Sequence, residues 1–98
     1  MKKLTKLEVN KKLKHLSGWK IVKGRNAITK SFKFNNFLSA FNWMTAIAFY
    51  AEKQNHHPEW LNVYNNVDVT LSTHDSGGVT QLDINMAKQM NLIAKKQI

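Results

Sequence analysis

The stretch FLSAFNWMTAIAFYAEK, residues 37–53, decides the fold of this chain. Apolar residues recur in it three and four positions apart, which is the spacing of one face of an α-helix. The stripe consists of Phe37, Phe41, Met44, Ala48 and Ala51, widened by Trp43, Ile47 and Tyr50. Asn35 and Asn36 precede the stretch, and either can cap a helix. Because the segment is apolar most of the way round, it is predicted to form a central core helix.

A short helix and a β-hairpin are predicted before the central helix. Residues 19–22 and 27–34 are rich in β-branched and aromatic side chains, and residues 24–26 (Gly-Arg-Asn) are typical of a hairpin turn. Further upstream, Thr5 and Glu8 have the spacing of a capping box. Apolar residues then follow at helical intervals until a glycine ends the run: Val9, Leu13, Leu16 and Gly18.

A second hairpin and a last helix are predicted after the central helix. Pro58 blocks helix formation, residues 60–64 are predicted to form a strand, and Asn65-Asn66 is predicted to be a two-residue turn. That register pairs Tyr64 with Val67, Asn62 with Val69 and Trp60 with Leu71. A capping box at Thr80 and Asp83 starts the final helix, which continues through Ala87, Met90 and Ala94.

The order of elements is therefore helix, hairpin, helix, hairpin, helix. This order predicts an α+β fold with two layers, in which a four-stranded antiparallel sheet carries the helices packed on one face. The chain has 98 residues, which is the size of one domain, so residues 1–98 are predicted to form a single domain. Association of subunits would help so small a core.

Composition excludes several classes of function. The chain has no cysteine, so disulfides, thiolate metal sites and cysteine nucleophiles are excluded. No signal peptide and no membrane span is recognisable, and a cytoplasmic location is expected. The net charge is +9, but Arg25 is the only arginine, which argues against a specific nucleic-acid reader. The lysines form either a solubilising surface or a surface that attracts an anionic partner.

Three histidines suggest a proton-transfer site. His56 and His57 are adjacent and lie between Glu52 and Glu59, and His74 follows the second hairpin. Imidazole exchanges protons near neutral pH, so acid–base chemistry is one interpretation. Ordinary surface histidines are another. A zinc or iron site completed by Glu52 or Asp75 is a third, although adjacent histidines chelate one ion poorly.

The neighbouring residues each have a structural explanation as well. The capping box accounts for Asp83, and Trp60 and Tyr64 fit the core better than a ligand platform. Glu52 either orients a histidine or is a solvated charge at the end of a helix. His15 has no evident partner and is expected at the surface.

Together these residues resemble the pterin-4a-carbinolamine dehydratase family. The family pattern has an acidic residue, three others and then His-His-Pro, which residues 52–58 supply. An aromatic residue follows, matched by Tyr64, and then a histidine within Ser-Thr-His, matched by residues 72–74. Asp83 matches the aspartate that closes the pattern. The order of elements also agrees with the family fold over nearly the whole chain.

The resemblance implies an activity, the dehydration of 4a-hydroxytetrahydrobiopterin to quinonoid dihydrobiopterin, which supports tetrahydrobiopterin recycling. It implies that His56 and His74 are the acids and that His57 binds the pterin and is the base. Glu52 and Asp83 would hold the imidazoles, with Trp60 as a supporting residue. Pro58 and the backbone of residues 73, 75 and 76 (Thr73, Asp75 and Ser76) would line the pterin pocket together with the histidines.

The resemblance also bears on cofactors and partners. It implies that neither a metal nor a bound cofactor is needed, and that the chain forms a homo-oligomer, a dimer or a tetramer. It further implies a functional link to an aromatic amino acid hydroxylase. The alternative hypothesis is a non-catalytic oligomeric binding module that acts as a protein partner or coactivator.

Overall fold

The computed structural model of the chain describes residues 2–97. The predicted domain, 1–98, also includes the two terminal residues, which lie outside the described residues. In chain order the elements are α1 Lys6–Leu13, β1 Lys20–Ile21, β2 Ile28–Lys33, α2 Phe37–Gln54, β3 Glu59–Val63, β4 Asn66–Leu71, a 3₁₀ turn His74–Ser76 and α3 Gln81–Gln97. The predicted order of helices and hairpins is confirmed. The first strand is shorter than predicted, and α1 ends at Leu13 rather than at Gly18.

The four strands form one antiparallel sheet in the order β1-β2-β4-β3. The central pair is β2 with β4, which runs in register from Ile28 opposite Leu71 to Lys33 opposite Asn66. Since α2 connects β2 to the edge strand β3, the chain crosses the sheet and returns through β4 to the middle. Alternate residues of the strands are buried beneath the helices, and the other face is open, so the α+β fold is confirmed.

The buried face of α2 differs from the predicted stripe. Ala40, Trp43, Ile47 and Ala51 are the buried residues, whereas Phe37 and Phe41 are each about half exposed. The indole of Trp43 explains the choice, because it contacts the ring of Phe32 at a centroid distance of 4.5 Å and donates a hydrogen bond of 3.1 Å to the Met90 carbonyl. The prediction of a central core helix therefore holds for one face only: Trp43, Ile47 and Ala51 of the predicted set are buried, whereas Ala48 is exposed. Within residues 2–97, no helix is long and apolar enough to cross a membrane.

The register of the second hairpin differs from the prediction by two residues. The turn is formed by Tyr64 and Asn65, and Asn62 pairs with Val67 rather than with Val69. Tyr64 has a left-handed φ of 51°. Asn65 explains the shift, because its backbone and side chain both bond to Phe34 at the end of β2, at 2.9 Å each. A shift of two leaves every side chain on its predicted face.

Candidate active site

The end of α2 sends two adjacent histidines in different directions. Asn55 caps the helix in the left-handed conformation, with φ 50° and ψ 44°, which asparagine tolerates better than most residues. The next amide, that of His56, donates to the carbonyl of Ala51 at 3.1 Å. As a result His56 is buried, with 8% of its surface exposed, while 54% of the His57 side chain is exposed.

His56 is held by a buried carboxylate. Its Nε2 lies 2.6 Å from Oδ1 of Asp83, whose side chain is fully buried. The other oxygen of Asp83 accepts the Thr80 backbone N–H at 2.9 Å and the Thr73 hydroxyl at 2.8 Å. The sequence allowed two roles for Asp83, a helix cap or a support for the site. In the structure Oδ2 caps the helix at Thr80 and Oδ1 contacts His56.

His57 is paired with Glu52 on the surface. Its Nε2 lies 2.5 Å from Oε2 of Glu52, a residue in the last turn of α2. Both side chains are mainly exposed. The pair is therefore formed within one short segment of chain, because the helix end turns back over its own last turn.

His74 is the first residue of the 3₁₀ turn, and its ring contacts the carboxylate of Glu59. Its Nε2 lies 3.1 Å from Oε2 of Glu59. Glu59 also accepts two hydrogen bonds from Arg25, with Nη1 to Oε1 at 2.9 Å and Nη2 to Oε2 at 2.5 Å. Chiefly the hydrogen bonds from Arg25, and then that from His74, lower the pKa of Glu59 to about 2. Glu59 is therefore ionised at neutral pH.

The three histidines line one open cleft of about 270 Å³. The lining residues are Asn55, His56, His57, Ser72, Thr73, His74, Asp75 and Leu82. Of the other predicted site residues, Glu52 contacts the ring of His57 and Asp83 contacts the ring of His56, but neither lines the cleft. Pro58 and Ser76 are next to lining residues in the chain but are not among them. Trp60 packs toward the core, with its ring 6.1 Å from that of Trp43.

The acidic side chains of the protein are concentrated at this cleft. The chain has six in total, and four of them contact or line it: Glu52, Glu59, Asp75 and Asp83. In each imidazole pair the ring atom next to the carboxylate is Nε2. A carboxylate oxygen that accepts a hydrogen bond from imidazole requires the hydrogen on Nε2, so this arrangement favours the tautomer whose Nδ1 carries none.

The surface also has a groove lined by lysines, which contains none of the three clustered histidines. This larger groove, of about 440 Å³, lies between β2 and α3, and it is lined by four lysines together with His15. Its most buried lysine, Lys30, already donates to the Ser17 carbonyl and the Asn91 side chain at 2.8 Å each. Among residues 2–97, no three histidine or carboxylate side chains are arranged to hold a metal ion.

Comparison with known proteins agrees with this geometry. A sequence model of the family described as pterin 4 alpha carbinolamine dehydratase matches residues 2–93. The chain belongs to this dehydratase family. Relatives in Brucella ovis and Brucella abortus, both named "putative pterin-4-alpha-carbinolamine dehydratase", are 59% identical over 92 residues, which is 94% of this chain and 95% of each relative.

A solved structure supports the same placement within the dehydratase family. It is a crystal structure described as a transcriptional coactivator/pterin dehydratase from Brucella melitensis. The two chains are 59% identical and superpose with a TM-score of 0.93, and the match covers 94% of this chain and 98% of the other. The resemblance inferred from the sequence is confirmed.

The site contains residues that the sequence did not predict: Asn55, Ser72 and Leu82 in the lining, and Glu59 and Arg25 behind His74. The last two left a weak signal. Glu59 directly follows His-His-Pro, and the alternation of β3 places it on the open face beside the exposed histidines. Arg25 is the only arginine in a chain whose other cations are lysines. That choice is typical of a site which needs two parallel hydrogen bonds to a carboxylate.

Proposed function

We propose that this protein is a 4a-hydroxytetrahydrobiopterin dehydratase, a hydro-lyase that forms quinonoid dihydrobiopterin and water by acid–base catalysis. The names of the family and of its relatives support dehydratase activity on a pterin carbinolamine. One structural observation carries the proposal: three imidazoles, each held at Nε2 by its own carboxylate, border one cleft.

The reaction requires one proton to be given and one to be taken. The bond between C4a and the hydroxyl oxygen breaks, and hydroxide is a poor leaving group unless an acid protonates it. The proton on ring nitrogen N5 must leave as the C=N bond forms. Oxygen leaves as water, so the sum is one substrate to one product plus water, with no oxidant or reductant.

We assign the proton transfers to the Nδ1 atoms of the three rings. His56 and His74 act as acids on opposite faces of C4a, so in a given molecule one of them protonates the hydroxyl on its own face. His57 binds the pterin and accepts the N5 proton. The paired carboxylates, Asp83 and Glu59, hold the two acids in place. The same residues need no metal ion for these steps, and we propose that the enzyme is metal-independent.

The cleft suits a small heterocycle. Its volume of about 270 Å³ lies near the lower end of small-molecule sites. Three polar residues, Ser72, Thr73 and Asp75, are among those that border it. We propose that these groups recognise the pterin, and that Pro58 and Ser76 act only by shaping the segments beside them.

The test is a stopped-flow assay with chemically generated 4a-hydroxytetrahydropterin. The protein should accelerate dehydration over buffer, and His56→Ala and His74→Ala should each slow the enzymatic rate by on the order of 10²–10⁴-fold. His15→Ala is the matched control, because His15 is exposed and borders the lysine groove, whose lining shares no residue with the cleft. Equal rates for wild type and both site variants would refute the catalytic assignment.

We also propose that the protein is a homo-oligomer and that the open face of α2 takes part in assembly. Leu38 and Phe49 on this face are 67% and 76% exposed, and Phe41 is 51% exposed. A contiguous exposed patch of large apolar side chains is typical of an interaction surface. Light scattering should give a mass above that of a monomer, and Phe49→Lys should lower it. The coactivator description of the Brucella melitensis protein makes a partner protein the alternative occupant.

A further inference from the structure

The turn between β1 and β2, residues 23–26, lies against the segment that carries His74. Val22 and Ala27 close the turn with a backbone hydrogen bond of 2.9 Å. The turn is 34 residues from Glu59 and more than 45 from the loop after β4, yet it bonds to both. A turn whose only purpose was to join two strands would not require these contacts.

Arg25 connects the turn to the partner of His74. Its guanidinium binds both oxygens of Glu59, and the same Oε2 atom accepts from His74 at 3.1 Å. A guanidinium that binds both oxygens fixes the plane of the carboxylate as well as its position. The direction from which Glu59 meets the His74 ring is thus determined by Arg25.

Asn26 connects the turn to both ends of the loop that holds His74. Its side-chain oxygen accepts the Val79 N–H at 3.0 Å, and its backbone carbonyl accepts the Ser72 hydroxyl at 3.0 Å. Gly78 is part of this contact, because a Cβ at that position would lie 2.5 Å from the Asn26 side chain. Thr73 and Gly78 bridge the base of the loop between these anchor points.

We propose that Arg25 and Asn26 of this turn position His74: Arg25 orients the ring through Glu59, and Asn26 anchors the loop. His74 needs such support, because 74% of its side chain is exposed and its own loop supplies little packing. His56, by contrast, is fixed by burial. The inference rests on the proposed role of His74 as an acid, and it makes Arg25, Asn26 and Glu59 positioning residues rather than catalytic ones.

The kinetic test uses Arg25→Gln and Arg25→Lys in the stopped-flow assay. A residue that positions an acid acts on the transition state, so Arg25→Gln should lower kcat about tenfold and leave KM within about twofold. Arg25→Lys keeps the charge but cannot bind both oxygens, so it should recover only part of the loss. Lys23→Gln in the same turn is the control and should match wild type. Arg25 is exposed, so the variants should fold.

The spectroscopic test does not depend on activity. In wild type, ¹⁵N–¹H correlation of the His74 ring should show the neutral ring protonated at Nε2, because Glu59 accepts there. Arg25→Gln and Asn26→Ala should each mix the two tautomers.

The outcomes separate this inference from the proposed function. If His74→Ala slows dehydration while Arg25→Gln does not and the tautomer is unchanged, the positioning role is wrong and the catalytic role stands. If His74→Ala has no effect, the proposed function itself loses its acid, and a tautomer shift in Arg25→Gln would still support the structural link.

Discussion

His56 and Asp83 lie 27 positions apart in the sequence and meet at 2.6 Å in the protein interior. One comes from the end of α2 and the other from the first turn of α3, so the contact joins the two long helices at the cleft. Both oxygens of the Asp83 carboxylate have hydrogen-bond partners. A buried carboxylate is tolerated only when it is paired in this way.

Replacing Asp83 with asparagine should damage both activity and stability. The carboxylate accepts from three groups, whereas an amide nitrogen cannot accept, so either His56 or the cap at Thr80 loses its partner. We expect Asp83→Asn to lower kcat by up to about a hundredfold and the free energy of unfolding by about 1–3 kcal/mol. Urea denaturation and the stopped-flow assay measure the two effects.

Asp68→Asn is the matched control for that substitution. Asp68 also accepts side-chain hydrogen bonds, from Ser31 and Asn66, but it is exposed on the open face of the sheet. We expect wild-type kcat and a change in stability of less than about 0.5 kcal/mol. Equal losses of activity in the two variants would show that Asp83 does not act by positioning His56.

Glu59 should stabilise the fold in a pH-dependent way. Its pKa of about 2 lies below the usual 4.5, chiefly because Arg25 and then His74 bond to the carboxylate. A lowered folded-state pKa contributes stability that is complete above the unfolded-state value and is lost as the pH falls toward the folded-state value. The difference in Tm between wild type and Glu59→Gln should therefore be constant above about pH 5 and shrink below about pH 4.5. A difference that grows on acidification would contradict the assignment.

Trp43 should be the most costly single side chain in the core. It is fully buried among Phe32, Phe34 and Trp60 and bonds to the carbonyl of Met90. Trp43→Ala should lower the free energy of unfolding by about 3–5 kcal/mol. Leu7→Ala on α1 removes an apolar side chain that is 67% exposed and should change stability by less than about 0.5 kcal/mol.

Tyr64 offers a stabilising substitution. Its left-handed φ of 51° is unfavourable for an aromatic residue, and its side chain is 62% exposed, so little packing is lost on replacement. Tyr64→Asn should raise the free energy of unfolding by about 1 kcal/mol. Tyr64→Phe keeps the backbone strain and should leave stability unchanged. Destabilisation by asparagine would indicate that the tyrosine ring makes a contact that matters, as in an oligomer.

A chelation experiment tests the metal-independence of the proposed mechanism. Activity should be unchanged after prolonged dialysis against a strong chelator, and elemental analysis should find less than about 0.1 metal ion per chain. Loss of activity on chelation, with recovery on adding back one particular ion, would overturn the mechanism.

Local patterns in the sequence predicted the elements of the fold well. The capping box at Thr5 and Glu8 is formed in full, with Thr5 N–H to Glu8 Oε1 at 2.8 Å and Glu8 N–H to Thr5 Oγ1 at 3.1 Å. Such signals act over one helical turn, so they can be recognised without knowledge of the tertiary fold. The faces of β4 were also predicted, because alternation survives a register error of two.

Features that depend on tertiary contacts could not be predicted from the sequence. Two overlapping apolar stripes run along α2, and only the packing of Trp43 against the sheet shows which of them is buried. The turn at Tyr64 and Asn65 is likewise set by the contact of Asn65 with Phe34, 31 residues away. At the site, the motif identified the histidines, but the pairing of Glu59 with Arg25 joins two hairpins and carries no local pattern.

The grouping of four carboxylates at one cleft has a consequence for the remaining surface. Elsewhere only Glu8 and Asp68 offset the lysines, so the rest of the molecule is a nearly uniform cation. Polyanions in a cell would therefore adhere to faces away from the histidines. The cleft between the histidines and the four carboxylates stays open to an uncharged heterocycle. Nonspecific adsorption of polyanions would therefore not block the proposed substrate.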